Sequence, residues 1–205
     1  VDTGKILRGH TSDVSSVVFN HDGSILASGS KDKTVKLWDI RTEPPSLIAT
    51  LTGTLTGHTH SVSSVVFNHD GSILASGSWD NTVKLWNIRT EPPSLKATLT
   101  GDTFWVLDVA FNSTGSMLAS ACGDTTVKLW DIRTETPILI KTLTGHNQKV
   151  RGVVFNHDGS ILASASEDRT VKLWNTTTFE LIETLRGHTS LVYDVSFNQE
   201  GNILA

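Results

Sequence analysis

The sequence predicts an all-β repeat protein, and three observations carry this prediction. First, one phrase recurs with small changes: a Gly-His pair, a Val-rich stretch ending in Phe-Asn, Leu-Ala-Ser, an Asp turn and Val-Lys-Leu-Trp. Second, the tryptophans that close the phrase, Trp38, Trp86, Trp130 and Trp174, are separated by 48, 44 and 44 residues, a period typical of repeat architectures. Third, no segment keeps a helical period of apolar residues over two turns, so the units consist of strands.

Each unit predicts four strands, taken here for the first unit. Residues 14–19 are β-branched and aromatic and stop at an Asn-His-Asp-Gly turn of the hairpin type. Residues 24–30 are the second strand, and residues 34–40 alternate apolar and polar positions as a third strand with one buried face. Residues 47–51 are the fourth strand. Repeated four-stranded antiparallel sheets predict a β-propeller, in which the sheets stack around an axis as blades.

Each unit also resembles a WD40 repeat, with Gly9-His10 opening and Trp38-Asp39 closing the first copy. The resemblance covers essentially the whole chain. Residues 14–53 and 62–101 differ at only four positions, which is similar to recently amplified bacterial WD40 propellers. The resemblance implies four complete blades, a partial fifth and an N-terminal outer strand. The expected boundaries are 1–10 for the outer strand, 11–57, 58–101, 102–145 and 146–187 for blades one to four, and 188–205 for the partial blade.

The first and last residues lead us to expect that the ring does not close within this chain. The fifth unit lacks a third strand, so the strand near residues 5–10 would have no neighbour to pair with. The chain is then either part of a larger ring or a half-ring that completes itself by self-association. A tandem Thr-Leu-Thr-Gly copy over residues 50–57 lengthens the first period and is expected to be extruded as a loop.

Composition restricts the class of partner. A formal net charge of −4 argues against general affinity for nucleic acid or anionic membranes. No apolar run approaches the roughly 20 residues of a membrane helix. The single cysteine, Cys122, is expected to be a buried free thiol. The sequence contains no phosphate loop, metal-ligand spacing or acid–base pair, so we expect no cofactor, no metal and no enzymatic activity, and we expect a cytoplasmic protein.

The resemblance implies a buried hydrogen-bonded network in each blade, made of a His, a Ser, an Asp and the Trp. A Ser, a His and an Asp together could suggest a hydrolase, but one catalytic site does not need four copies, and no Gly-x-Ser-x-Gly elbow is present. We therefore expect a structural role. The network residues are His10, Ser28, Asp32 and Trp38; His58, Ser76, Asp80 and Trp86; Ser120, Asp124 and Trp130; and His146, Ser164, Asp168 and Trp174.

The third blade has Asp102 where the others have the His. Two carboxylates in that space would repel, so either one is protonated or Asp102 turns outward to water. The result is either a locally weakened blade or an acidic notch for a basic group or a cation. The remaining polar repeats are expected to be solvated. They are Lys36, Lys84, Lys128 and Lys172 on the third strands, and His21, His69 and His157 in turns expected to lie too far apart for shared metal ligation.

Function is expected where the repeats disagree. Positions three and five residues after the His, and one before the turn Asp, vary from blade to blade, and the resemblance places them on the top face, where partners commonly dock. We expect them to bind a protein or peptide, with Trp79 and Trp105 as anchors. Alternatively, Trp105 merely packs with Phe104 over the altered blade. The predicted residues are Asp13, Ser15, Lys31, Ser61, Ser63, Trp79, Trp105, Leu107, Lys149, Arg151, Glu167, Leu191 and Tyr193.

Two classes of function follow. The first is a non-catalytic protein–protein interaction scaffold that uses the top face. The second is a sensor or regulatory domain that gates a larger signalling ATPase or kinase. An enzyme in its own right is a distant third, because the catalytic constellation is missing.

Overall fold

The computed structural model describes residues 6–52 and 57–205, which form four separate four-stranded antiparallel sheets. Strands that follow one another in sequence pair within each sheet, so every sheet is one blade. Blade one contains β1 (Val14–Phe19), β2 (Ile25–Ser30), β3 (Val35–Asp39) and β4 (Ser46–Leu51). Blade two contains β5 (Val62–Phe67), β6 (Ile73–Ser78), β7 (Val83–Asn87) and β8 (Ser94–Leu99). Blade three contains β9 (Val106–Phe111), β10 (Met117–Cys122), β11 (Val127–Asp131) and β12 (Ile138–Leu143). Blade four contains β13 (Val150–Phe155), β14 (Ile161–Ser166), β15 (Val171–Asn175) and β16 (Leu181–Leu185).

Two kinds of turn close the hairpins. Between the first and second strands, the amide of Gly23 donates to Asn20 O (3.0 Å), and Gly23 takes a positive φ of 70°, which glycine adopts without strain. Between the second and third strands, the residue after the turn Asp is left-handed although it is not glycine, as at Lys33 (φ 72°). We call the face that carries the turn Asp the top face, and the face that carries the Asn-x-Asp-Gly turns the bottom face.

A β-bulge interrupts the first strand of every blade at the same place. In blade one, Val14 lies opposite Ser30 and Ser16 opposite Gly29, so Ser15 has no partner across the ladder. The same break leaves Ser63, Leu107 and Arg151 unpaired in blades two to four. A bulge changes the direction of the residue that it leaves out of the ladder. The variable position five residues after the His is thereby released from the sheet in each blade.

The hydrophobic core lies between neighbouring blades. Val62, Val65 and Phe67 of β5 pack with Ala27 and Leu37 of blade one, and equivalent clusters join blades two and three and blades three and four. The approach is close, because a Cβ built on Gly29 would lie 2.7 Å from Val62 Cγ1. A blade therefore buries its apolar residues against its neighbour and not within its own sheet.

The ring is not closed within the described residues. The first strands of successive blades contact each other in the order β1, β5, β9 and β13, while Val14, Val17 and Phe19 of β1 remain exposed. The expected N-terminal outer strand is wrong for residues 6–10, which form no strand, since no described strand lies beside them. Residues 1–5 of that prediction lie outside the described residues.

The partial fifth blade is also less regular than expected. Instead of two strands over residues 191–205, it contains a single antiparallel bridge between Phe197 and Leu204, flanked by the Ser196–Ala205 hydrogen bonds (3.0 and 2.9 Å). Residues 191–195 form no ladder and pack against blade four, where Val192 and Val195 are buried with Val171. The amide of Val192 donates to Ser166 O (3.1 Å).

Residues 53–56, half of the tandem Thr-Leu-Thr-Gly copy that was expected to be extruded as a loop, lie outside the described residues. In the ranges 6–52 and 57–205, no helix has the length and apolar character to cross a membrane. Cys122 is a buried free thiol, as expected, and burial raises its pKa to about 12. A protonated thiol of this kind is unreactive.

Candidate functional site

The predicted network is present in blades one, two and four. In blade one, His10 Nδ1 is 2.8 Å from Asp32 Oδ2, His10 Nε2 is 2.7 Å from Ser28 Oγ, and Trp38 Nε1 donates to Ser28 Oγ (2.9 Å). Because a carboxylate only accepts, Nδ1 carries the proton, so Ser28 donates to Nε2 while it accepts from Trp38. The corresponding distances in blades two and four differ by at most 0.1 Å.

The hydrogen bonds of these networks set the protonation states of their members. Burial alone would raise the pKa of Asp168, but hydrogen bonds from Thr170, His146 and the Asn147 amide lower it to about 2. Burial lowers the pKa of His146, so this imidazole stays neutral. The serine Oγ is buried, and its donor and acceptor capacity are both used. The arrangement ties the loop before the blade to its sheet, which is a structural function.

In blade three, the contacts of Asp102 differ from those that the sequence predicted. Asp102 is buried and does not turn outward: it accepts from Ser120 Oγ (3.1 Å), and Lys128 Nζ lies 3.2 Å from Asp102 Oδ1 and 3.0 Å from Asp124 Oδ2. The expected repulsion is opposed by a lysine that lies between the two carboxylates. Burial raises the pKa of Asp102, and Lys128 opposes that shift. The ammonium group of Lys128 thus occupies the acidic notch, so the notch is not open to a basic group or a cation from outside.

The expected solvation of the third-strand lysines is therefore wrong, since all four are buried. In the other blades the ammonium group donates to a fourth-strand threonine, as Lys36 does to Thr50 Oγ1 (2.9 Å) and Lys84 to Thr98 Oγ1 (3.1 Å). Lys128 instead donates to Asp124 and Thr126. Burial lowers the pKa of Lys128, but Asp102 and Asp124 outweigh it and the net pKa is raised.

Many of the variable positions converge on one cavity of the top face. The bulged residues of the four first strands contribute Ser15, Ser63, Leu107 and Arg151 to one cavity of about 250 Å³. We call this the top-face cavity. It is lined by Ser15, Lys31, Ser61, Val62, Ser63, Trp79, Leu107, Arg151 and Tyr193.

A stack of aromatic rings borders the cavity. Trp79 and Trp105 lie on each other with ring centroids 4.6 Å apart and planes 12° apart, and both are half-buried. His60 stacks on Trp79 (5.7 Å), and Lys149 Nζ lies 5.1 Å from the centre of the Trp105 ring. Phe104 packs against Gly123, where a Cβ would lie 2.6 Å from Phe104 Cδ1. Trp105 therefore joins blade two to blade three, while Phe104 covers the turn of blade three.

The charged residues of the rim are paired. Lys31 Nζ is 2.9 Å from Asp13 Oδ2 at an exposed position, and the hydrogen bond from Lys31 lowers the pKa of Asp13. Arg151 forms an ion pair with Glu167 and lies 5.5 Å from the centre of the Tyr193 ring. Eight of the thirteen predicted binding residues line the cavity, and five do not: Asp13, Trp105, Lys149, Glu167 and Leu191.

Two features of this surface were missed from the sequence. His60 stacks on Trp79 and accepts from the Ser61 amide (2.8 Å). The position two residues after the His varies between blades, with Ser12, His60, Phe104 and Gln148, and this variation could have identified it. Val62 lines the cavity, but this first-strand position is a valine in every blade. Variation between blades therefore could not identify Val62 as a cavity residue.

On the bottom face, the expected separation of the turn histidines is wrong for one pair. The rings of His21 and His69 lie 4.7 Å apart. These turns follow the first strands, and the first strands of neighbouring blades contact each other. Two turns that are one blade apart are therefore close together. Groups of three or more His, Cys, Asp or Glu suited to a metal do not occur in the described ranges.

Comparison with known proteins places the chain in a family. The family model "WD domain, G-beta repeat" matches residues 2–39, 49–87, 93–131, 138–175 and 179–205. WD repeat-containing protein 18 of Bos taurus is 43% identical over 53 residues, which is 26% of this chain and 12% of that protein. The Periodic tryptophan protein 2 homolog of Schizosaccharomyces pombe is 58% identical over 43 residues, 20% of this chain and 5% of that protein.

Protein Notchless of Drosophila melanogaster is 50% identical over 44 residues, 22% of this chain and 9% of that protein. The matched stretches are thus about one repeat long and span only a small part of these relatives. Since the five matched segments cover most of the chain, it belongs to the WD40 repeat family.

Proposed function

We propose that this propeller region is a non-catalytic interaction module that binds a segment of another protein, or a peptide, at the top-face cavity. One observation carries the proposal: side chains that differ between nearly identical repeats, taken from four blades and the partial fifth, line a single cavity. WD40 propellers generally act as protein-interaction scaffolds, and the repeat relatives support that role in general.

The cavity suits an extended segment with an apolar and an acidic side chain. Trp79 and Leu107 provide an apolar wall, and Lys31 and Arg151 provide cations on two sides of it, for which an acidic side chain of the partner would compete with Asp13 and Glu167. The stacked tryptophans already hold each other, so their side chains lose little conformational freedom when a partner binds. Aromatic anchors of this kind typically contribute about 2 kcal/mol or more each.

The regulatory alternative uses the same surface. A propeller that gates a signalling ATPase or kinase would take a segment of that protein in the top-face cavity, and only the source of the segment would differ. Catalysis is disfavoured because the network serines are buried and fully hydrogen-bonded. Nucleic acid and anionic membranes are disfavoured by the net charge of −4.

The test is a peptide selection. A displayed random-peptide library is selected on the wild-type chain, and the affinity of the recovered peptides is measured for wild type and for the Trp79→Ala/Trp105→Ala double variant. Folding tolerates the loss of Trp79, because blade one has Lys31 at the same position of an almost identical blade. We expect the double variant to weaken binding by about 2 kcal/mol or more, roughly 30-fold.

Blade one also supplies the control. Asn87→Asp gives blade two the aspartate that blade one has at the equivalent position, Asp39. Residue 87 does not line the cavity, so this variant should leave peptide affinity unchanged. Failure to recover any peptide, or equal affinity for wild type and the double variant, would overturn the proposal. The second outcome would place binding on the sides of the blades.

A further inference from the structure

Two histidines face each other on the bottom face, well away from the top-face cavity. The rings of His21 and His69 are tilted by 54° with centroids 4.7 Å apart, and both residues are exposed. A separate cavity of about 220 Å³ lies beside them and is lined by Asn20, His21, Asp22, His69, Asp70 and Gly71. Two imidazoles and two carboxylates thus border one solvent-accessible space between blades one and two.

The backbone fixes this juxtaposition. In the first turn, Asn20 O accepts from the Gly23 amide (3.0 Å), and Asn20 Oδ1 accepts from the Ile25 amide (2.9 Å). Asn68 makes the same two hydrogen bonds in the turn of blade two. The two turns are also in contact, since a Cβ on Gly71 would lie 3.7 Å from Asn20 Cβ. The proximity of the imidazoles is therefore built into two rigid, touching turns.

The donor chemistry suits a transition metal. Imidazole nitrogen is a preferred ligand of Zn²⁺, Cu²⁺ and Ni²⁺, and carboxylate oxygen can complete such a set. No hydrogen bond among the described residues uses either ring. The carboxylates of Asp22 and Asp70 keep their places by accepting from the turn amides of Ser24 and Ser72 (2.9 Å each).

We propose that His21 and His69 form a two-histidine site for a divalent transition-metal ion, with water in the remaining positions. The ion would join the turns of blades one and two. Because it would bind the folded pair of turns and not the separated histidines of the unfolded chain, it would also raise the stability of the folded state.

The chain contains its own matched control. His157 stands in an identical Asn-His-Asp-Gly turn of blade four, but the neighbouring turn of blade three has Ser113 at the corresponding position. That turn is equally close, since a Cβ on Gly159 would lie 3.7 Å from Ser113 Oγ. His157 thus shares the local structure of His21 and His69 and lacks the second imidazole.

The experiment measures Zn²⁺ binding by calorimetry in a non-coordinating buffer, for wild type, His21→Asn, His69→Asn and His157→Asn, with thermal unfolding in Zn²⁺ and in EDTA as a second readout. We expect one ion per chain in the wild type. Loss of one ligand should weaken affinity at least as much as loss of an outer-shell partner, about tenfold or more. His157→Asn should bind like the wild type.

Three results would overturn the site. These are no saturable Zn²⁺ binding to the wild type, equal loss of affinity in all three variants, or wild-type affinity in both His21→Asn and His69→Asn. The thermal readout separates a lost ligand from a lost fold. Each variant should unfold at the wild-type temperature in EDTA, and only His21→Asn and His69→Asn should fail to gain stability when Zn²⁺ is added.

Discussion

Blades one and two share almost one sequence but differ in their surroundings. The strands β1 and β5 both read Val-Ser-Ser-Val-Val-Phe, yet Val17 is 60% exposed and its equivalent Val65 is 4% exposed. Phe19 and Phe67 differ in the same way, at 56% and 8%. The difference arises because β5 packs against blade one, whereas no described residue covers the same face of β1. The residue pattern of a first strand is thus enough to form the strand, but its side chains are buried only where a preceding blade packs against them.

This comparison indicates where the stability of the propeller resides. Full burial of a Val or Phe side chain is worth about 1.5–3 kcal/mol, so an interblade interface with several of them outweighs the hydrogen bonds of a surface hairpin. Each blade on its own would expose the apolar residues that blade two buries. The stability of the structure is therefore the sum of its interfaces, as in other repeat proteins.

The largest expected difference is between Phe67→Ala and Phe19→Ala. Phe67→Ala leaves a cavity between blades one and two and should reduce the free energy of unfolding by about 3–5 kcal/mol. Phe19→Ala removes an exposed ring and should cost less than about 0.5 kcal/mol. Chemical denaturation of both variants checks the prediction. Equal losses would show that a second copy covers β1 in solution, and the loss in Phe19→Ala would then depend on protein concentration.

The second largest difference is expected between Lys128→Met in blade three and Lys84→Met in blade two. Lys128→Met would leave Asp102 and Asp124 together without their cation and should cost about 3 kcal/mol or more, as expected when one partner of a buried ion pair is removed. Lys84→Met removes a hydrogen bond to Thr98 and the attraction of Lys84 to the single carboxylate of Asp80, and should cost about 1 kcal/mol. Denaturation of the two variants at neutral pH measures both. Similar costs would mean that Lys128 is not essential to the carboxylate pair.

The sequence predicted most of the fold because the repeat period and the turn residues are local signals. The sixteen strands follow from them, and the His, Ser, Asp and Trp networks follow from the family resemblance. The same signals could not show that Lys128 would leave its fourth-strand threonine, because that choice depends on Asp102, which is distant in sequence. The proximity of His21 and His69 depends on how closely successive blades approach at the axis, and one sequence does not give that distance.

The convergence at the top-face cavity could be anticipated only in part. Variation between blades identified Ser15, Leu107 and Arg151 as candidate binding residues. These residues leave the ladder because of a β-bulge, and no residue type in the sequence predicts that bulge. The rim pairs, such as Arg151 with Glu167, were likewise not evident before the strands were placed. The prediction of a docking surface therefore came from comparing repeats, and its geometry came from the structure.

The smallest expected effect concerns the first-strand position at which blade two has Ser64 and blade three has Asp108. Ser64 Oγ donates to Asp108 Oδ1 (2.7 Å), and the Val153 amide donates to Asp108 Oδ2 (3.0 Å), so this carboxylate links three blades near the axis. Burial raises the pKa of Asp108 to about 6, and Asp194 adds to the shift, while these hydrogen bonds oppose it. The folded state therefore binds a proton more tightly than the unfolded chain, whose Asp titrates near 4.

The sign of the pH effect follows from this difference. Above pH 6 the ionised Asp108 costs stability, and the cost is relieved as the pH falls through 6 toward 4. In Asp108→Asn this relief is absent, so the stability of wild type relative to the variant should rise between pH 7 and pH 5. We expect about 1 kcal/mol, because most of the difference between a pKa of about 4 and one of about 6 is realised between these two pH values. Asp131→Asn is the control, because hydrogen bonds from Arg133 lower the pKa of Asp131 to about 2 and it does not titrate in this range. Denaturation at the two pH values measures the effect. If the stability difference between wild type and Asp108→Asn stays constant, or grows toward pH 7, then burial does not raise the pKa of Asp108 in the folded state.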